Sequence, residues 1–152
     1  MLFKTLPTQT IIGLCALFAC TFTALTSEVA PVGLLIDMAQ AFHIAEGQAG
    51  LAVSAFALMV ALGAVPLTIL TVAVDRKKLM LLSLGGYILS NLIVALAPTF
   101  LILCAGRAVG GVAHALLMSI VSAYAARLVP ANMTGRAISF VYGGTSLGAI
   151  LG

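Results

Sequence analysis

The sequence predicts an all-α integral membrane protein with four complete transmembrane helices and a truncated fifth. Three observations support this: an apolar composition, five long apolar runs, and basic residues confined to alternate connections. The 152 residues are 62% hydrophobic and 7% charged, with a mean hydropathy of +1.24, whereas about 25% of an average soluble domain is charged. Four acidic and seven basic residues cannot hydrate the surface of a soluble domain this long. Soluble enzymes, nucleic-acid binders and disordered regulators are therefore excluded.

The apolar runs set the predicted helices. A helix needs about 20 apolar residues to cross roughly 30 Å of hydrocarbon. Runs long enough, or nearly so, cover residues 10–36, 48–74, 79–97, 100–126 and 137–152. The last run spans only about 24 Å as a helix, less than the hydrocarbon thickness. We therefore expect the chain to be a fragment that stops inside its fifth helix.

The basic residues orient these helices. If the N-terminus is inside, the inner segments hold six of the seven bases, namely Lys4, Arg76, Lys77, Lys78, Arg127 and Arg136. The outer connections, residues 37–47 and 98–99, hold none. The positive-inside rule then predicts a multi-pass protein with a cytoplasmic N-terminus. A cleaved signal peptide is the disfavoured alternative, because the first apolar run exceeds the usual 7–15 residues.

Two ionisable side chains lie deep inside predicted spans, where a charge is costly unless it is paired or solvated. Glu28 lies about 12 Å below the outer end of the first span, and Arg107 about 10 Å below the outer start of the fourth. A carboxylate that alternates between an apolar setting and a cationic neighbour changes its proton affinity, as coupling to a proton gradient requires. Glu28 is therefore the candidate proton carrier and Arg107 its modulator. A static ion pair joining two helices is the alternative.

Two weaker polar candidates lie in the third and fourth spans. His114 follows Arg107 by seven residues, so both lie on nearly the same helix face. A histidine facing a cavity can bind polar groups of a solute or relay protons, although a hydrogen-bonded packing histidine is equally compatible with the pattern. Asn91 is a second candidate for the substrate cavity, and interhelical hydrogen bonding is its alternative.

Polar and glycine patterns near the ends of the spans suggest two further roles. Asp75 and Arg76 open the inner turn between the second and third spans, which is either a simple topogenic loop or a conformational lock on a helix N-terminus. Gly144, Gly148 and Gly152 recur every four residues, a spacing that lets helices approach closely. No metal-ligand spacing or catalytic motif accompanies them, so neither a metal site nor an enzyme is predicted.

The layout resembles the N-terminal part of a major facilitator superfamily transporter, in the drug:proton antiporter branch that contains bacterial sugar efflux transporters. The matching stretches are SEVAPVGLLIDMAQAF (27–42), FALMVALGAVPLTILT (56–71), VDRKKL (74–79), GRAVGGVAHALLMSI (106–120) and GTSLGAILG (144–152). The AHA triplet at 113–115 and the PVGLL run at 31–35 favour sugar efflux members over multidrug members. The resemblance implies the helical bundle of that superfamily.

The resemblance also implies roles for individual residues. Glu28 corresponds to the membrane-embedded acid of the first helix that is linked to proton coupling, and Arg107 to the fourth-helix arginine of the second motif. Asp75 and Arg76 correspond to the cytoplasmic gating motif, although Thr71 stands where that motif has a glycine.

Lys77 and Lys78 also depart from the gating motif, in which a second glycine follows the aspartate. Gly144, Gly148 and Gly152 resemble the opening of the fifth-helix antiporter motif.

The implied function is proton-coupled efflux of a small sugar or sugar-like solute by alternating access. The proton gradient would drive it with no cofactor, and the partners would be the lipid bilayer, the solute and protons. Superfamily transporters have twelve spans in two halves, so the C-terminal helices of the full transporter would be missing and the chain should not transport alone. The alternatives are a multidrug/proton antiporter fragment and a non-transporting truncated membrane protein.

Overall fold

A computed structural model describes residues 6–151 of the chain. Within that range it contains α-helices and one short 3₁₀ turn, Ala131–Met133, and no β-strand. The helices are α1 Thr8–Gly33, α2 Leu35–Ala41, α3 Glu46–Ala49, α4 Leu51–Leu70, α5 Arg76–Ala95, α6 Phe100–Leu128 and α7 Thr134–Leu151. The prediction of an all-helical protein is confirmed.

Four helical segments in the described range are long and apolar enough to cross a membrane. They are α1, the continuous pair α3–α4 over Glu46–Leu70, α5 and α6. In its most apolar stretch α6 is 56% buried, whereas α3–α4 is only 6% buried. A helix that is apolar all round and unburied by protein has lipid as its natural environment. The chain is therefore a multi-pass membrane protein.

A tight reversal separates α2 from α3. His43 adopts φ 52°, the left-handed conformation that commonly ends helices. The N–H of Ile44 then donates to the carbonyl of Ala39 at 3.0 Å, and the N–H of Phe42 to Met38 at 3.0 Å. The Phe42 ring packs against Phe100, with 5.9 Å between the ring centroids. These contacts fix the connection between the first two apolar runs.

The turn between α4 and α5 ends in a side-chain cap. Although the apolar run continues to residue 74, α4 ends at Leu70, and the Thr71 hydroxyl donates back to the Leu67 carbonyl at 2.5 Å. Asp75 then caps α5, since its Oδ1 accepts from the N–H groups of Lys77 at 3.0 Å and Lys78 at 3.1 Å. Capping carboxylates satisfy N–H groups that a helix leaves without internal partners. The connection therefore ends at Asp75, where α5 begins.

The chain divides into two compact units. The terminal unit comprises Met1–Val29 and Val121–Gly152, and the central unit comprises Ala30–Ile120. In the terminal unit α7 packs on α1. Thr21 Oγ1 donates to the Val141 carbonyl at 2.7 Å, and the rings of Phe18 and Phe140 lie 5.2 Å apart.

Gly144 and Gly148 make the closeness of α7 to α1 possible. A Cβ on Gly144 would overlap the carbonyl oxygen of Phe18 and the hydroxyl of Thr21, and one on Gly148 would lie 2.7 Å from the carbonyl oxygen of Phe22. Both glycines are buried. These two glycines, four residues apart, therefore let the backbones of α7 and α1 approach closely.

The central unit packs α4 and α5 against the buried part of α6. A Cβ on Gly86 of α5 would lie 2.8 Å from the Cβ of Ala113, and one on Gly63 of α4 would lie 3.2 Å from the Cβ of Ala115. Small residues therefore line both contacts of α6, as in other membrane helix pairs. The buried polar side chains of Ser90, Arg107 and His114 lie where the three helices meet.

Candidate functional site

The centre of the site is a buried cation on an aromatic ring. Arg107 of α6 places its guanidinium carbon 4.3 Å from the centroid of the Phe56 ring of α4. Arg107 is 3% exposed and Phe56 is 1% exposed. A guanidinium within about 6 Å of a ring face is attracted by the ring quadrupole, and most strongly where water is excluded. The contact therefore offsets part of the cost of placing a permanent charge in a membrane helix.

Two adjacent glycines of α6 make room for Phe56. A Cβ on Gly111 would overlap the backbone carbonyl of Phe56, while one on Gly110 would lie 2.5 Å from Ser90 Oγ and 3.3 Å from the Phe56 ring. At Gly111 no larger residue fits without moving the backbone of α4, and at Gly110 the Ser90 hydroxyl would have to move. The glycine pair therefore fixes how closely the ring approaches α6.

His114 lies on the same ring. Its imidazole meets the Phe56 ring edge-on, with 5.5 Å between the ring centroids and 74° between the ring planes. On its other side His114 Nδ1 forms a hydrogen bond of 2.8 Å with the hydroxyl of Tyr87 of α5. His114 and Tyr87 are both buried, at 6% and 8% exposure. The hydrogen bond satisfies two polar groups that would be costly to bury unpaired.

Ser90 completes this group one turn of α5 further on. Its hydroxyl donates to the carbonyl oxygen of Gly106 at 2.7 Å and it is buried. We call the five side chains that meet here the polar cluster: Phe56, Tyr87, Ser90, Arg107 and His114. Three helices supply them, so any shift of one helix changes the environment of the Arg107 charge.

The chemistry of the polar cluster suits binding and charge stabilisation. Guanidinium N–H groups, an imidazole and a phenol can form hydrogen bonds with hydroxyl or carboxylate oxygens of a solute. Among residues 6–151 no three histidine, cysteine, aspartate or glutamate side chains are grouped as a metal site requires.

Glu28 lies in the terminal unit, in α1, and is half-buried. Pro31 follows three residues later inside the same helix. Because proline has no N–H, the turn that contains Glu28 lacks one backbone hydrogen bond. The predicted proton carrier thus lies in a locally weakened turn of a membrane helix.

The other predicted site residues are distributed along the chain. Asn91 follows Ser90 in α5 and is exposed. Asp75 is exposed and caps α5, with the partly exposed Arg76 beside it. Gly144 and Gly148 are buried against α1, and Gly152 lies outside the described residues. The structure brings two of the predicted residues together on one ring, Arg107 and His114.

Phe56 and Tyr87 are site residues that sequence reasoning missed. Tyr87 had a detectable signal, because Ser83, Tyr87 and Ser90 recur at helical spacing and form a polar stripe in an apolar helix. All three are buried. Phe56 gave no such signal in the sequence, since one phenylalanine in an apolar run is indistinguishable from a lipid-facing residue until its neighbours are known.

The family model described as Major Facilitator Superfamily matches residues 17–152, which include all seven helices in whole or in part. The match contains both the glycine contact of α7 and the polar cluster. It also contains Glu28 and Asp75.

Proposed function

The chain belongs to the Major Facilitator Superfamily, a family of membrane transporters, and we propose that it serves the export of a small sugar or sugar-like solute in exchange for protons. Transport would proceed by alternating access, with the proton gradient as the only energy source. The single observation that carries this proposal is the polar cluster, a permanent cation held with hydrogen-bonding side chains inside membrane-spanning helices. Such intramembrane polar groups commonly mark substrate and ion pathways.

The proton would be carried by Glu28. Its support is the half-buried position of a carboxylate in a helix that can span a membrane. In an apolar environment the protonated form is favoured, and near a cation the charged form is favoured. A carboxylate that meets both environments in turn therefore takes up and releases a proton.

Arg107 would supply the cationic environment that releases the proton. It stays charged at any physiological pH, so its influence on a carboxylate depends on position alone. Burial at 3% exposure supports this role, because a charge removed from water acts over a longer distance than one on a hydrated surface. His114 and Asn91 would contact the solute.

The solute would be polar and uncharged or acidic. Tyr87, Ser90 and His114 are buried polar side chains that suit a solute rich in hydroxyl groups. The Arg107 cation repels positively charged compounds in a medium of low dielectric constant. Both features favour a sugar over the apolar cations that a multidrug exchanger would carry.

The inner face would be gated by Asp75 and Arg76, and Gly144, Gly148 and Gly152 would belong to the antiporter motif. We place the protein in the inner (plasma) membrane with its N-terminus in the cytoplasm. The charge pattern supports this orientation, because Arg76, Lys77 and Lys78 open α5 and only acidic residues are charged in the connection after α1.

The proposal is tested by Glu28→Gln in the complete gene product, reconstituted in vesicles with an imposed proton gradient. Glutamine keeps the size of the side chain and removes the titration. We expect gradient-driven sugar efflux to fall to background, while the protein accumulates normally and equilibrium exchange of solute persists. Glu46→Gln is the matched control, since Glu46 is an exposed acid at the start of α3.

Two results would contradict the proposal. Gradient-driven efflux at the wild-type rate in Glu28→Gln would remove the proton carrier. Efflux of cationic dyes with no sugar efflux in the unmodified protein would assign the cluster to another class of solute.

A further inference from the structure

We propose that Phe56 is a positioning residue for Arg107, and that the negative face of its ring, rather than its bulk, holds the guanidinium where transport requires it. The inference rests on the proposed role of Arg107 in proton exchange. Its observations are the 4.3 Å distance from the guanidinium carbon to the ring centroid and the near-complete burial of both side chains.

A ring is well suited to hold this particular cation. Its face attracts a positive charge without offering a conventional hydrogen-bond acceptor, so the ring itself takes up none of the five N–H groups of Arg107. A carboxylate in the same place would neutralise the charge and occupy those N–H groups. Phe56 therefore orients the charge without neutralising it.

The ring itself is held from two further directions. The backbone of Phe56 contacts α6 at Gly111, where even a Cβ would overlap its carbonyl. The ring meets the imidazole of His114 edge-on, and the hydroxyl of Tyr87 anchors that imidazole through Nδ1 at 2.8 Å. The ring that contacts Arg107 is thus held by residues of α6 directly and of α5 through His114.

The cation–π account differs from simple packing in a measurable way. Adding fluorine atoms to a phenylalanine ring changes its size little and withdraws electron density from its face in steps. If the ring acts by filling space, successive fluorines change little. If the ring acts through its negative face, each fluorine weakens the hold on Arg107.

The experiment replaces Phe56 with mono-, di- and trifluorophenylalanine in the complete gene product. We expect gradient-driven efflux per folded molecule to fall stepwise, by about tenfold across the series. Phe56→Leu should lose at least as much as the trifluoro ring. The matched control is the same series at Phe18, whose ring packs against that of Phe140 at 5.2 Å, where efflux should stay within about twofold of the wild type.

A second readout measures the contact without transport. The melting temperature in detergent should fall along the Phe56 series, and this dependence should vanish in an Arg107→Met background. Unchanged efflux across the series would overturn the inference, as would equal melting shifts in both backgrounds.

The two readouts also separate this inference from the proposed function. A stepwise loss of efflux and melting temperature that depends on Arg107, together with wild-type efflux in Glu28→Gln, would uphold Phe56 as the positioning residue and reject proton transfer by Glu28.

Discussion

Two contacts between helices use paired glycines, and they differ in what enters the space. In the terminal unit, Gly144 of α7 receives the backbone of α1 at Phe18. In the central unit, Gly111 of α6 receives the backbone of Phe56, and the neighbouring Gly110 receives its ring. The first contact packs two helices together, whereas the second positions an aromatic ring against the Arg107 cation.

The difference shows that glycine spacing indicates where another segment approaches a helix closely. It does not indicate whether that contact is structural or functional. Close packing of backbones gains dispersion energy and requires no particular chemistry from the partner. A glycine that admits a side chain sets the position of that side chain and of everything it touches. Variants that separate the two effects therefore test which contact is structural and which is functional.

The largest expected effect is steric and common to both contacts. Gly111→Ala and Gly144→Ala should each destabilise the protein by about 2 kcal/mol, because the new methyl group overlaps backbone atoms that cannot move alone. Melting in detergent measures the loss. Gly85→Ala is the control, since nothing lies within 4 Å of its Cβ position. It should gain up to about 1 kcal/mol from helix propensity.

Removal of the Tyr87 hydroxyl should have the next largest effect. Tyr87→Phe leaves a buried imidazole nitrogen of His114 without the hydroxyl that bonds to it at 2.8 Å. We expect the free energy of unfolding to fall by about 1.5 kcal/mol, the usual cost of removing one partner from a buried hydrogen bond. Chemical or thermal unfolding measures it, and no loss at all would show that the His114 hydrogen bond does not stabilise the central unit.

Removal of the Thr21 hydroxyl should cost less. Thr21→Val deletes the 2.7 Å bond to the carbonyl oxygen of Val141 but keeps the shape of the side chain. The acceptor is a helical carbonyl that retains its backbone partner, and interhelical bonds of this kind average about 0.6 kcal/mol in membranes. We expect a loss near that value in the same unfolding assay. A loss larger than that of Tyr87→Phe would reverse the ranking of the two units.

The smallest expected effect is a gain at the turn between α2 and α3. His43 has φ 52°, which glycine adopts without strain. His43→Gly should therefore raise stability by about 0.5 kcal/mol, and its melting temperature is compared with that of Gln40→Gly. Gln40 lies inside α2, where glycine is unfavourable. A loss of stability in His43→Gly would show that the imidazole itself makes a stabilising contact.

The sequence was sufficient to predict the class of fold. A chain with few charges and long apolar runs has to form membrane helices, because lipid leaves backbone groups no partner outside the helix. The helical spacing of the sequence also predicted that Arg107 and His114 share one face of α6, and both contact Phe56 in the structure. These predictions depend only on hydropathy and helical periodicity.

Other features required three-dimensional packing. Hydropathy extends the second run to residue 74, yet α4 ends at Leu70, and the Asp75 carboxylate caps the start of α5. The role of Phe56 depends on Gly110 and Gly111, which lie more than fifty residues later in the chain. No local pattern contains that information.

The most direct test of the central claim compares two hydroxyl deletions in one flux assay. Solute efflux per folded molecule is measured for Tyr87→Phe in the polar cluster and for Thr21→Val in the contact between α1 and α7. We predict that Tyr87→Phe loses about tenfold, equivalent to about 1.4 kcal/mol in the barrier, and that Thr21→Val stays within about twofold of the wild type. Equal efflux in the two variants, or a larger loss in Thr21→Val, would contradict the assignment of the polar cluster to the transport pathway.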